Sequence, residues 1–225
     1  MASVAQSTVI DCAALDTREI NRLSKGAEGE VLVRNPAARH CLGVGILKPL
    51  RVVFDGPVGW YCATMGDGLD AEIRGNCGWS VGQNLMSGSI TVRGHAGSSA
   101  GATIRGGTVT IEGNAGARTG ISMKGGTLVV GGNVGYMSGF MMQTGVLVAC
   151  GDAAGGIGDS MYEGTIFVGG RIASLGADAV EGELTDEDRE LLAPYAPARS
   201  WTKLVAGRKL WNFSKKEFEV WKVAL

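Results

Sequence analysis

Proline is scarce in this chain, with 5 residues in 225, and aromatic residues make up only 6%. So little proline excludes a collagen-like or proline-rich low-complexity segment, even though glycine reaches 37 residues, more than double its usual share of about 7%. Charge of either sign is not in excess. The 21 basic and 22 acidic residues leave a formal net charge of −1, which offers no basic field for nucleic acid and no polybasic strip for a membrane. No run of about 18 apolar residues is present to span a bilayer. The five cysteines, Cys12, Cys41, Cys62, Cys77 and Cys150, are odd in number, scattered and without a CxxC pair, and the Met1 end lacks a charged start followed by an apolar stretch. Reduced thiols and a cytoplasmic location are expected. At this length one domain with its own core is the first expectation.

The surplus glycine is periodic. Gly56, Gly75, Gly94, Gly113, Gly132, Gly151 and Gly170 follow one another at intervals of 19 residues. A second set lies three residues later, from Gly59 to Gly135, and a third lies seven residues after the first, from Gly82 to Gly158. Each unit reads G-x-x-G-x-x-x-G, and most close on a further glycine such as Gly88 or Gly107. A fixed period of this length is the mark of a repeat architecture.

Superimposed, the units form columns. Four residues before the first glycine stand Val52, Ala71, Ile90, Val109, Leu128, Leu147 and Ile166; two before it stand Phe54, Ile73, Val92, Ile111, Val130, Ala149 and Val168. Between them lie Val53, Glu72, Thr91, Thr110, Val129, Val148 and Phe167, polar in the middle units. This in-out alternation is that of a strand facing a core. Two residues after the glycine the column runs Val58, Cys77, Ala96, Ala115, Val134, Ala153, Ile172; ten after it come Leu85, Ile104, Met123, Met142 and Met161. Several apolar columns per period, broken by glycines at tight corners, describe stacked coils. The expected fold is all-β: a single-stranded right-handed parallel β-helix of about seven coils over 50–176. A flank at 1–49 carries a short helix, and a helical, Trp-rich tail covers 177–225. A small-residue helix-packing face is the rival for such glycine spacing, but Arg74, Arg93, Glu112 and Lys124 inside the units argue against it.

Outside the repeat, Asp16 with Glu19 predicts a capping box, and Leu15 with Ile20 a hydrophobic staple, for a helix near 17–25. Thr185-Asp186-Glu187-Asp188 predicts an acidic-first helix, and Ser214 to Glu217 another capping box. A solenoid leaves open strand edges at its ends, and the flanks are the segments available to cover them. The tail, rich in Trp201, Trp211 and Trp221, docks either on its own wall or on a partner.

Candidates for chemistry are absorbed by the columns. His95 shares its column with Asn76, Asn114, Asn133 and Asp152, which reads as a ladder of turn-capping side chains. His40 stands outside the repeat and reads as a surface or packing residue. Cys62, Cys77 and Cys150 fall in three different columns, cannot converge on one ion, and read as small apolar fillers. The recurring glycines precede no helix, so they are not a phosphate cradle. No catalytic, cofactor-binding or metal-ligating residue is expected on this chain. What remains is surface: Trp60 and Trp79 share one column, with Tyr136 further along it, and Val129, Val148 and Phe167 form an outward apolar strip. The chain's own tail is expected to cover one patch and a partner subunit the other.

Units such as Gly113-Asn114-Ala115-Gly116-Ala117-Arg118-Thr119-Gly120 and Gly75-Asn76-Cys77-Gly78-Trp79-Ser80-Val81-Gly82 resemble the GXGXG domain that ends the large subunit of glutamate synthase. The resemblance extends to the flanks, Thr17 to Asn21 and Trp201 to Leu225 with Phe213-Ser214-Lys215-Lys216-Glu217-Phe218. It covers nearly the whole chain and is closest to the stand-alone subunit of N-methylglutamate synthase (methylamine-glutamate N-methyltransferase). It implies a class II glutamine-amidotransferase-type partner and a second partner carrying FMN and an iron-sulfur cluster, with this chain as a non-catalytic scaffold. One departure is Ala154, which stands where the sixth unit should have its second glycine, and a local irregularity is expected there. The glycine-repeat C subunit of formylmethanofuran dehydrogenase and a self-assembling structural solenoid remain as alternatives. The Trp-rich end speaks against the first, and the helix-bearing ends speak against the second.

Overall fold

The computed structural model describes residues 7–195 and 200–207. Its elements run β1 (Ser7–Asp11), α1 (Thr17–Gly26), β2 (Glu30–Arg34), β3 (Leu50–Asp55), β4 (Leu69–Ile73), β5 (Gly88–Val92), β6 (Thr108–Ile111), β7 (Lys124–Val130), β8 (Thr144–Ala149), β9 (Thr165–Val168), β10 (Ala179–Gly182), α2 (Asp186–Leu192) and β11 (Thr202–Ala206). The first nine strands pair in chain order, each parallel to the next. The chain is thus a parallel β-solenoid with one strand per turn, as the columns require.

The solenoid is longer than the repeat suggested, with nine stacked strands instead of about seven coils. The register shows why. From Arg51 to Asp70 and onward the pairing offset is 19 residues, but Glu30 pairs with Arg51 at an offset of 21 and Ser7 with Glu30 at 23. The wall therefore begins at Ser7, inside the segment read as a flank, and α1 is an insertion within the first turn. At a strand spacing of about 4.8 Å the rod is roughly 40 Å long.

The inward columns form one continuous interior. Ile90, Val109 and Leu128 with Ile73, Val92 and Ile111 are at most 1% exposed, and Met123, Met142 and Met161 are fully enclosed. The Val58-to-Ile172 column is a second ladder of single-residue parallel bridges. The corners keep the ladder going by another device. Residues five, seven and nine after the first glycine have positive φ, as at Ser80 (60°), Gly82 (67°) and Asn84 (57°). Their N–H groups bond to the turns on either side: Ser80 donates forward to Ser98 (2.9 Å), Gly82 back to Cys62 (3.0 Å) and Asn84 forward to Ala102 (3.0 Å). Each non-glycine residue so placed costs about 1–2 kcal/mol, offset by a coil-to-coil hydrogen bond that would otherwise be missing.

The ends are closed by elements that break the repeat. Asp16 caps α1 by accepting from the Glu19 N–H (2.8 Å), but Glu19 turns to Arg22 and does not return to the cap, so only half of the expected capping box forms. Ile20 and Leu23 of α1, with Leu15 before it and Ala27 after it, pack on the interior cluster. At the other end β11 runs antiparallel between β9 and β10. The tail expected to be helical thus supplies two strands before residue 207, with α2 between them. The capping box of α2 is complete through Thr185 and Asp188; the helix expected from Ser214 lies outside the described residues. At Ala154 the ladder does not falter, since its N–H donates to Val134 at 3.0 Å. The expected irregularity lies three residues further on in the same unit, where Ile157 bridges to Leu175 at an offset of 18 while Ala153 still bridges to Ile172 at 19, and a further shift lies between Lys124 and Thr127 in β7.

Candidate functional site

The polar column beside the first glycine is a hydrogen-bonded ladder. Asn76 Oδ1 accepts from the His95 N–H, His95 Nδ1 from Asn114, Asn114 Oδ1 from Asn133, Asn133 Oδ1 from Asp152 and Asp152 Oδ1 from Arg171, at 2.8–2.9 Å. These side chains occupy the space that the next turn's glycine leaves. A Cβ on Gly113 would sit 2.4 Å from His95 Nδ1. His95 is therefore engaged as a hydrogen-bond acceptor for the wall.

His40 does a related job outside the repeat. Its Nδ1 accepts from the Trp60 N–H (2.9 Å), and its ring stacks on Trp60 at 4.7 Å, which in turn stacks on Trp79 at 5.3 Å. Coil stacking holds this file of three rings in place, yet Trp60 and Trp79 remain 45% and 55% exposed. Tyr61, Met65, Met86 and Leu47 on the same early turns are exposed as well. Tyr136 is exposed but stands three turns beyond Trp79, so it does not join the stack.

The outward strip has the opposite fate. Val129, Val148 and Phe167 are at most 2% exposed and form a second cluster with Cys150 and Leu192, flanked by Val146, Leu184 and Trp201. Leu184, Leu192 and Trp201 pack over the later strands, and Lys203 Nζ pins α2 by donating to Asp188 (2.6 Å). Trp201 is thus half-buried on its own wall, while Trp211 and Trp221 lie outside the described residues. Desolvation pushes the Asp188 carboxyl up, but the hydrogen bonds from Lys203 and Thr185 outweigh it and hold the group below its ordinary value.

The charged columns form a network on the early strands. Arg51 reaches Glu30 (3.0 Å), Asp70 (2.7 Å) and Glu72 (2.9 Å), and Arg93 bridges Glu72 and Glu112. Its members are mostly about half exposed, and such pairs contribute about 0–1 kcal/mol each. Among the described residues no group of three or more His, Cys, Asp or Glu side chains could hold a metal ion. Cys12, Cys62 and Cys77 are buried. Burial pushes the Cys77 thiol up to about 12 and that of Cys62 well above its usual value, which suits apolar fillers and not nucleophiles. Cys41 is exposed.

Sequence reading missed a cleft of about 640 Å³ between α1 and the corners of the first turns, lined by Arg18, Asn21, Arg22, Lys25, Cys41, Val44, Tyr61, Thr64, Met65, Gln83 and Asn84. Its signal was the spacing Arg18, Arg22, Lys25 along α1, but only the fold shows what that side of the helix faces.

Nine parallel turns around a packed apolar interior place the chain among the parallel β-solenoid proteins. No family model matches the sequence. The chain is 49% identical over 219 residues, covering 92% of this chain and 96% of the relative, to Protein GlxC of Rhizobium meliloti (strain 1021). At that identity and coverage, the chain belongs to the GlxC family. Among the described residues no helix is long and apolar enough to cross a membrane.

Proposed function

We propose that this chain is a non-catalytic scaffold subunit of a glutamate-synthase-like flavoenzyme complex, specifically N-methylglutamate synthase, which joins methylamine to glutamate with release of ammonia. The observation that carries the docking role is the His40, Trp60, Trp79 stack, ordered by the wall with both tryptophans about half exposed. Ordered exterior tryptophans are the type of residue that anchors protein interfaces. The link to glutamate synthase rests on the repeat motif and the flanks, and membership of the GlxC family fits a small subunit of that kind. In this reading a class II glutamine-amidotransferase-type subunit and a subunit carrying FMN and an iron-sulfur cluster perform the chemistry in the cytoplasm. The rod holds their centres in register, which favours transfer of a small amine between them.

The test is native purification of the tagged chain from its own cell, with mass spectrometry and an absorbance spectrum. Amidotransferase and yellow-brown flavin and iron-sulfur subunits should accompany the parent chain, with methylamine-dependent formation of N-methylglutamate. They should be lost from a folded Trp60→Ser/Trp79→Ser variant. A colourless chain that purifies alone or as filaments refutes the reading and favours a self-assembling solenoid. Co-purification with formylmethanofuran dehydrogenase subunits would refute it in favour of that complex.

A further inference from the structure

The scaffold role leaves the cleft beside α1 unused. Helical spacing of four and three residues sets Arg18, Arg22 and Lys25 along one side of α1, and all three line the cleft. Three cations in a row repel one another, and only one is compensated. Glu19 takes both the Nε and Nη2 hydrogens of Arg22, at 2.8 and 2.6 Å. Arg18 and Lys25 form no ion pair among the described residues.

The opposite wall contains no carboxylate to balance them. The amide of Asn21 is consumed at both ends, donating to Cys41 O (2.7 Å) and accepting from the Gly43 N–H (2.7 Å), so it holds the wall in place. Asn84 Oδ1 is taken by the Thr103 hydroxyl, which leaves the Asn84 Nδ2 hydrogens as donors. The cleft is therefore rich in donors and positive charge and short of acceptors, and its apolar floor is formed by the half-exposed Tyr61 and Met65. Its volume of about 640 Å³ lies within the range of about 300–1,000 Å³ typical of small-molecule sites.

We propose that this cleft binds a small organic anion. Arg18 and Lys25 take its carboxylate or phosphate oxygens, Arg18 through the planar fork that suits either group. Gln83 and Asn84 donate to the same oxygens, and the carbon body lies on Tyr61 and Met65. Residues 1–6 and 196–199 contain no acidic side chain, and 208–225 contain five basic residues against two acidic ones, a balance that favours a separate molecule as the source of the anion.

Calorimetric titration of the full chain at constant ionic strength tests the proposal, with succinate, benzoate, phenyl phosphate and inorganic phosphate as probes. At least one organic anion should bind, the preferred head group separating carboxylate from phosphate. Arg18→Gln/Lys25→Gln should weaken that binding at least tenfold, and should unfold at a midpoint no lower than the parent because two repelling charges are gone. Tyr61→Ala should weaken the aromatic probes and spare inorganic phosphate. No heat from any organic anion beyond that of sodium chloride, or equal affinity in the double variant, overturns the proposal. Binding of polyglutamate alone also overturns it, and assigns the cleft to an acidic segment of a partner.

Discussion

Gly132→Ala tests the physical basis of the repeat. The φ of Gly132 is open to alanine, so the cost is one of space alone: a Cβ there would lie 2.1 Å from Asn114 Oδ1 and 3.0 Å from the Gly113 carbonyl oxygen. The amide of Asn114 must leave its place, giving up the hydrogen bond from the Asn133 N–H at 2.8 Å, which contributes about 1 kcal/mol. Overpacking adds about 1–3 kcal/mol, for a total of roughly 2–4 kcal/mol. Asn114→Ala alone loses only the hydrogen bond, about 1 kcal/mol. In the double variant that bond is lost once and the 2.1 Å conflict vanishes, leaving the 3.0 Å contact. The double variant should therefore be more stable than the sum of the single effects by at least about 1 kcal/mol. Urea denaturation of the four proteins, followed by circular dichroism and tryptophan fluorescence, measures this coupling. Additive effects, or a Gly132→Ala protein as stable as the parent, would refute the argument that these glycines exist to house the neighbouring turn's side chain.

Trp201→Ala uncovers Val148 and Phe167; because Trp201 is only half-buried, we expect a loss of about 2–3 kcal/mol, below the range for a core tryptophan, together with increased binding of a hydrophobic dye. Lys203→Met breaks the pair with Asp188, both side chains 15% exposed, and should cost about 1.5–3 kcal/mol. The folded Asp188 carboxyl is held below its ordinary 3.8, so its stabilisation is present above that value and disappears as pH falls through the lower folded one. Acid titration of the parent should show this loss, and that of Lys203→Met a smaller one, since the Thr185 hydrogen bonds remain. In thiol titration at pH 8 with an aromatic disulfide, Cys41 should react in the native chain while Cys62 and Cys77, buried with raised thiol values, should react only after unfolding. Rapid reaction of Cys77 in the folded protein would contradict the packing described.

The wall could be read from sequence because stacking maps each position of the period onto one place in space. Val109 and Leu128 had to face the same way as Ile90, and His95 had to share the role of Asn114, whatever the details of the fold. That logic stops where the period stops. The 23- and 21-residue offsets of the first two turns hid β1 and β2, and α1 lies within the first of those turns. The positive-φ corners were equally hidden, because Ser80, Met65 and Arg118 carry no local mark of a conformation imposed by hydrogen bonding to adjacent turns.

By itself, then, the sequence determined the repeating cross-section: its inward columns, its glycine corners and the polar ladder between them, all set by short-range stacking of like on like. Tertiary structure alone decided what lies across those columns. It placed His40 under Trp60 at a spacing of 20, packed Leu184, Leu192 and Trp201 with Val148 and Phe167, turned β11 antiparallel onto β9, and brought Arg18 and Lys25 opposite Asn84. Each of these joins segments that share no period, and their pairing depends on which surfaces remained unburied once the coils had stacked.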